Sequence, residues 1–173
     1  QNADEIIPAD ITLEPGKGLL IRGKNSTGKT TTLRAIGITQ VFLQAGLPVC
    51  CETACISIRN AVYTHFASAE EDFAVQDNAG RFEGEVRAVA HIMENIQPYS
   101  LVLLNETFQT TAYREGAEGM YHILQAFSRI RVKCIFVTHL LSLFPLLAKD
   151  HAVYQFAETD RQRGAYRLYP ITM

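Results

Sequence analysis

The sequence predicts an α/β domain in which helices flank a mostly parallel sheet and an antiparallel hairpin ends the chain. Three short apolar runs are typical of parallel strands buried on both faces: 18-GLLIRG-23, 101-LVLLNE-106 and 133-KCIFVTH-139. Segments with helical spacing of apolar residues separate these runs, as in alternating strand–helix folds. Because no repeat or linker interrupts residues 1–173, we predict one domain.

Local patterns predict the remaining elements in order. Residues 4–23 read as two extended pieces around a turn at Pro15-Gly16. Helical periodicity predicts helices over 30–44, 81–96, 115–131 and, more briefly, 140–149. Alternation predicts a strand over 56–66, a polar acidic loop over 67–80, and a hairpin formed by 152–160 and 165–173. Gly37 costs a helix about 1 kcal/mol relative to alanine, so we expect the first helix to pack closely against the sheet.

Composition is typical of a soluble globular domain, with 47% hydrophobic and 20% charged residues. A net charge of −2 gives no overall basic field that would favour nucleic acid. No apolar run reaches the roughly 18 residues of a membrane span, and the acidic start does not resemble a signal peptide. Cys50, Cys51 and Cys55 lack the second cluster that zinc would need, so for these three and Cys134 we expect free, reduced, partly buried thiols and a cytoplasmic location.

The segment 23-GKNSTGKT-30 matches the phosphate-binding pattern G-x-x-x-x-G-K-[ST] in full. A predicted strand precedes it and a predicted helix follows it, which is the setting the pattern requires. Gly23 and Gly28 let the backbone approach a phosphate, and the helix N-terminus offers partial positive charge. Lys29 would reach the β- and γ-phosphates, and the Thr30 hydroxyl would sit on Mg²⁺.

The predicted nucleotide-binding residues are the loop and the first helical turn: Gly23, Lys24, Asn25, Ser26, Thr27, Gly28, Lys29, Thr30 and Thr31. The alternative interpretation is a polar loop followed by an ordinary helix cap at Thr27 or Thr30.

A phosphate loop also needs groups that handle metal and water, and 101-LVLLNE-106 ends in two such residues. The Asn105 carbonyl can accept a hydrogen bond from a magnesium-bound water but brings no charge. Glu106 is the predicted general base for the attacking water. The alternative for Glu106 is a solvated carboxylate that only ends a strand.

His139 ends another apolar strand, 133-KCIFVTH-139. At the same edge of a parallel sheet it could donate to the γ-phosphate or position water, so it joins Lys29 and Glu106 as a predicted catalytic residue. A polar residue that only satisfies a strand end is the alternative.

The ordered set of motifs resembles the C-terminal ATPase domain of the MutS family of DNA mismatch repair proteins, a branch of the ABC-type ATPases. The resemblance covers nearly the whole chain. Residues 23–38 resemble the GPNMSGKST-type loop and helix, 63–72 the TRIGASDD stretch, 80–86 the STFMVEM signature and 135–143 the segment with the Thr-His pair. Residues 6–13 resemble the segment before the loop, whose residues pack on adenine, which implies an adenine contact for Ile7.

The resemblance implies ATP and Mg²⁺ as ligands and a composite site. In this family two ATPase domains pair head to tail, and each signature segment reaches the nucleotide on its neighbour. By analogy, residues 80–85 would act on a second copy or a related subunit. DNA would be contacted by regions outside this chain, and ATP binding and hydrolysis would change how those regions clamp the DNA. No membrane is involved.

Three departures from the family separate this sequence from a standard member. Asn105 replaces the usual Asp, which should weaken magnesium binding and slow hydrolysis. Gly80 stands where the signature has a Ser expected to touch the partner's γ-phosphate. The stretch from Thr107 lacks the usual glycines and arginine.

We therefore expect an Mg²⁺-dependent ATPase domain of a MutS-like DNA-binding protein, excised from a longer chain or a short paralogue. The alternative is a nucleotide-binding dimerisation switch with little hydrolysis. A transporter ATPase subunit would need an LSGGQ-type signature, and a nucleotide kinase would need an arginine-rich lid; neither is evident.

Overall fold

The computed structural model describes residues 10–67, 78–108, 113–150, 153–160 and 167–171. The predicted adenine contact Ile7 lies outside these residues, as do most of the predicted loop at 67–80 and the predicted turn at 161–164.

The described residues form six strands and four helices, which mostly alternate and come close to the predicted order. The strands are β1 (Gly18–Gly23), β2 (Val62–Phe66), β3 (Leu101–Asn105), β4 (Lys133–Val137), β5 (Tyr154–Asp160) and β6 (Arg167–Pro170). The helices are α1 (Lys29–Gln44), α2 (Asn78–Asn95), α3 (Tyr113–Arg129) and α4 (Leu143–Leu147), the last followed by a 3₁₀ turn at Ala148–Asp150.

The strands form one sheet in the order β2-β3-β4-β1-β5-β6. The first five are parallel to one another, so the predicted mostly parallel sheet flanked by helices is confirmed. Strand β6 pairs antiparallel with β5. Strands β3, β4 and β1 are neighbours in the same orientation, so their carboxyl ends meet at one edge of the sheet.

The core has two layers, one on each face of the sheet. Successive residues of β3 alternate between them: Leu101 and Leu103 join one cluster, whereas Val102 and Leu104 join the other. This alternation follows from the period of two in a strand. It explains why the buried strands are continuously apolar in sequence.

Helix α1 packs closely on its face of the sheet, as Gly37 predicted. A Cβ atom at Gly37 would lie only 2.6 Å from the Leu103 Cδ1 atom. Leu33, fully buried on the same helix, completes the contact with this layer. The glycine thus brings the helix backbone nearer to β3, and this positions the helix N-terminus at the sheet edge.

The strand predicted over 56–66 is shorter in the structure, where only Val62–Phe66 is strand. Two glutamines of α1 instead form hydrogen bonds with backbone groups of the residues just before β2. Gln40 Nε2 donates to Ser57 O (3.1 Å), and Gln44 Oε1 accepts from the Arg59 N–H (2.6 Å). Ile58 is 82% exposed, so the alternating pattern at the start of segment 56–66 does not mark a buried strand face.

All four cysteines are free: Cys50, Cys51 and Cys55 are exposed, and Cys134 is buried. Partial burial was predicted and holds for Cys134 alone, where burial raises the pKa of the thiol. None of the helices in the described part of the chain is long and apolar enough to cross a membrane.

Candidate nucleotide-binding site

The loop between β1 and α1 is tight and depends on two glycines. Gly28, the residue before α1, has φ 81°, which is left-handed. Gly23 has φ 153°, and a Cβ there would lie 2.0 Å from Thr159 Oγ1 and 2.9 Å from Thr159 O. A side chain at Gly23 would therefore collide with the backbone of β5. Both glycines of the sequence pattern are required by this geometry.

The N-terminus of α1 is prepared for an anion. Gly28 provides no side-chain cap, and the first turn of α1 contains no acidic residue. The first intrahelical hydrogen bond runs from Thr32 N–H to Gly28 O (2.9 Å). The N–H groups of the residues before Thr32 therefore have no intrahelical acceptor, and the helix dipole favours negative charge there.

Lys29 folds back over this loop. Its Nζ donates to Gly23 O (2.8 Å) and Lys24 O (2.7 Å), and it lies 4.0 Å from Glu106 Oε1. The side chain is only 5% exposed. Burial lowers the pKa of Lys29, and the nearby Glu106 carboxylate opposes that shift. The loop carbonyls thus hold an ammonium group at the mouth of the loop.

Thr27 has a different position from its neighbours in the loop. Lys24, Asn25 and Ser26 are exposed, whereas Thr27 is 3% exposed. Its hydroxyl donates to Lys24 O (2.7 Å) and lies 2.6 Å from Thr159 Oγ1. The Thr27 side chain therefore anchors the loop to β5, and only its backbone remains to meet a phosphate.

Thr159 is a site residue that the sequence reasoning missed. It lies 132 positions from Thr27, and the sheet register places it opposite Gly23. No motif marks it, because its position depends entirely on β5 pairing with β1.

The two residues predicted to bind metal are in contact. Thr30 Oγ1 donates to Asn105 Oδ1 at 3.0 Å, across the gap between α1 and β3. Both supply oxygen atoms, which suit the hard cation Mg²⁺. The described residues contain no group of three or more His, Cys, Asp or Glu that could hold a metal.

Glu106 follows β3 directly and leaves the strand in a left-handed conformation, with φ 58°. Its N–H donates to Val137 O on β4 (2.8 Å), which fixes the turn. Its carboxylate is 17% exposed. Within the described part of the chain, Oε2 is buried and has no hydrogen-bond partner. A buried oxygen of this kind calls for a partner, such as a water molecule.

The pKa of Glu106 is raised to about 7 by burial, against the opposing effects of the Lys29 charge and a backbone hydrogen bond from His139. His139 Nε2 lies 3.1 Å from Glu106 Oε1 and 2.8 Å from Asn25 Oδ1. Burial and the Lys29 charge lower the pKa of His139, so the imidazole is neutral near pH 7. Nε2 can carry one proton, so in the tautomer protonated at Nε2 a single N–H is shared between the Glu106 and Asn25 oxygens.

The structure thus brings together most of the predicted site residues. Lys29, Thr30, Asn105, Glu106 and His139 converge on the loop, and Asn25 joins them through His139. Thr31 is exposed on the first turn of α1. These groups can bind an anion, hold a hard cation and accept a proton beside both.

Comparisons with known proteins identify the family of this chain. The family model described as MutS domain V matches residues 19–167. The chain is 34% identical over 130 residues to the endonuclease MutS2 of Thermus thermophilus, covering 75% of this chain and 17% of that protein. It is 30% identical over 125 residues to MutS protein homolog 4 of Mus musculus, covering 72% of this chain and 13% of the relative.

A DNA mismatch repair protein MutS from Streptococcus equi is 29% identical over 147 residues, covering 84% of this chain and 17% of the relative. The chain therefore spans less than a fifth of the length of these curated relatives. The family match includes the phosphate loop, the Asn105-Glu106 pair and His139. On these grounds the chain belongs to the MutS domain V family.

Proposed function

We propose that this domain binds ATP with Mg²⁺ and hydrolyses it as the nucleotide-driven part of a MutS-like DNA mismatch repair or DNA-binding protein. The observation that carries the proposal is the meeting of a buried ammonium, a helix N-terminus without a side-chain cap, and a buried carboxylate oxygen that has no hydrogen-bond partner among the described residues. These are Lys29, the start of α1 and Glu106 Oε2.

The phosphate chain is the ligand that fits the loop. The N–H groups at the start of α1 and the Lys29 ammonium all present positive charge to one point. On binding, phosphate oxygens would replace Gly23 O and Lys24 O as acceptors for Lys29 Nζ. When bound, Mg²⁺ would neutralise phosphate charge, with the Thr30 hydroxyl and Asn105 Oδ1 holding it or its water.

Glu106 is suited to accept a proton from water. Oε1 is held by the His139 contact, and Oε2 is left to accept a hydrogen bond from an attacking water. As that water's oxygen bonds to the γ-phosphorus and the bond to the bridging oxygen breaks, Oε2 takes the water's proton. His139, donating through Nε2, keeps the carboxylate oriented during the transfer.

We also propose that the domain pairs head to tail with a second copy or a related subunit, and that DNA is bound by regions outside this chain. The exposed side of α2 supports a partner surface. Phe82 is 36%, Val86 40% and Met93 42% exposed, and their spacing puts them on one side of the helix. Gly80, where the family has a Ser, lies at the start of this surface and leaves only backbone to reach a partner's nucleotide.

The alternative function is a nucleotide-binding dimerisation switch with little hydrolysis. The observation that favours it is the Asn105 amide, which already accepts a hydrogen bond from Thr30 and adds no negative charge for Mg²⁺. Measuring ATP binding and phosphate release on the same preparation separates the two: tight binding without release supports the switch.

Lys29→Met should weaken ATP binding about 10- to 100-fold, because it removes a charge-assisted contact to the phosphates. Titration with a fluorescent ATP analogue and Mg²⁺ measures this. Lys17→Met, which removes a lysine with a 26% exposed side chain that pairs with Glu14 across one turn, is the control and should bind normally. An unchanged affinity in Lys29→Met refutes the phosphate role.

Glu106→Gln should reduce the rate of ATP hydrolysis by about 10²- to 10⁴-fold, the range for losing a general base. ATP affinity should be retained, because the phosphate loop is unaltered. Phosphate release and ATP binding are measured in parallel, with the exposed Glu94→Gln on α2 as the matched control. Turnover near the wild-type rate would mean that another group activates the water.

Asn105→Asp should lower the Mg²⁺ concentration needed for half-maximal ATP binding roughly fivefold, equivalent to about 1 kcal/mol. A carboxylate attracts the cation or its water shell more strongly than an amide does. Magnesium titrations of Asn105→Asp, and of Asn105→Leu as the variant without the oxygen, test this. Identical titration curves would place the metal elsewhere.

The ionised Glu106 carboxylate is expected to lower the unfolding free energy, and this effect can be measured without ligand. The folded pKa of about 7 exceeds the ordinary value of 4.5, so ionising this group costs folding free energy as pH rises from 4.5 through 7. In the absence of nucleotide and metal, Glu106→Gln should raise the unfolding free energy near pH 8 by about 1–3 kcal/mol. The gain should shrink near pH 5, where the folded wild type is protonated.

Urea unfolding of both proteins near pH 8 and pH 5 provides the comparison, with Glu94→Gln as the control that should show no such pH-dependent gain. A destabilised Glu106→Gln near pH 8 would show that the Lys29 contact outweighs burial of the charge.

A further inference from the structure

We propose that Glu85, on α2, is a positioning residue that holds the loop carrying Glu106 in its catalytic conformation. The inference rests on the proposed function of Glu106 and extends it to a second carboxylate. The sequence offered a different reading of Glu85, as part of a segment acting on a neighbouring copy. In the structure its carboxylate is turned toward the loop of its own chain.

The loop after β3 has an unusual backbone. Glu106 and Phe108 both have left-handed conformations, with φ 58° and φ 65°. Neither is glycine, and side-chain-bearing residues adopt this region only when their surroundings enforce it. The Glu106 carboxylate therefore depends on whatever fixes residues 106–108.

Besides β4, whose Val137 O accepts the Glu106 N–H, two further elements restrain this loop from outside. On one side, Glu85 Oε2 accepts the Phe108 N–H at 2.6 Å. On the other, His65 Nδ1 of β2 lies 2.9 Å from the hydroxyl of Thr107, which is fully buried.

The Phe82 and Phe108 rings also pack with centroids 5.7 Å apart, one turn of α2 before Glu85. Phe108 is 6% exposed, so its N–H has little access to water as a substitute acceptor.

Glu85 provides the contact to a main-chain atom, and this makes it the stronger candidate for positioning. Without the carboxylate the buried Phe108 N–H loses its acceptor, and the left-handed turn at Phe108 loses a restraint. Glu106 is two residues away, and its Oε1 contact with His139 spans only 3.1 Å. A small rotation in the loop would move Oε2 away from the water it must deprotonate.

The test compares three variants of the complete protein. Glu85→Leu removes the acceptor with little change in volume, and Glu85→Gln retains an acceptor oxygen. Glu94→Leu is the matched control, since Glu94 is exposed on the same helix and lies outside residues 80–85. Steady-state hydrolysis gives kcat and KM for ATP, and amide hydrogen exchange of a peptide spanning 104–109 reports on the loop without requiring catalysis.

We expect Glu85→Leu to lower kcat about tenfold or more, with KM within about twofold, because the phosphate loop is untouched. Amide exchange across the loop should accelerate in the same variant. Glu85→Gln should restore both properties to near wild type, and Glu94→Leu should change neither. Phe82→Ala, which removes the ring contact with Phe108, should accelerate amide exchange of the loop to a smaller extent and serves if Glu85→Leu does not fold; its kcat is not compared, because Phe82 also lies on the proposed partner surface.

Unchanged amide exchange in Glu85→Leu would overturn the proposal, because the carboxylate would not be holding the loop. Faster exchange with unchanged kcat would also overturn it, since Glu85 would then support only the fold. If the wild type does not hydrolyse ATP, hydrolysis as the proposed function fails and with it the catalytic role of Glu85. The amide exchange rates would still show separately whether Glu85 restrains the loop after β3.

Discussion

One buried ammonium group, Lys29 Nζ, organises the functional edge of this domain. Two loop carbonyls hold it and the Glu106 carboxylate lies 4.0 Å away, so a positive and a negative charge share a site from which water is largely excluded. Burial lowers the pKa of the lysine and raises that of the glutamate, so each charge is costly without a further partner. A polyanion beside a hard cation would satisfy both, which is why the arrangement suits a triphosphate better than an isolated ion pair.

The sheet order makes this arrangement possible. Because β1 lies between β4 and β5, and β3 lies beyond β4, the phosphate loop, His139 and Glu106 leave three strands at the same edge. The strand register aligns the ends of these three strands, because Asn105 pairs with Val137 and Val137 pairs with Ile21. The β5 strand contributes from the other side through Thr159, which fills the space that any side chain at Gly23 would need.

The site and the outer helix α2 are physically connected. The loop after β3 carries the proposed base and is held by a carboxylate from α2, which also exposes apolar residues. A partner that shifted this helix would act on the base through the two contacts of α2 with Phe108, the hydrogen bond to Glu85 and the ring packing of Phe82. Stability and function are balanced in the same loop, because left-handed residues and a buried carboxylate both cost folding free energy.

Sequence alone determined the alternation of buried strands and helices, the glycine-containing loop at residues 23–30 before the first helix, and the polar residues that end strands β3 and β4. These features depend on local rules: continuous apolar runs, glycines where backbone must bend, and polar residues where a strand ends. Tertiary structure decided the shortened β2 strand, whose preceding residues bind the α1 glutamines, and the inward position of Thr27. It also decided the roles of Thr159 and Glu85, because these contacts join residues 132 and 23 positions apart, and only sheet register and helix packing bring such distant atoms together.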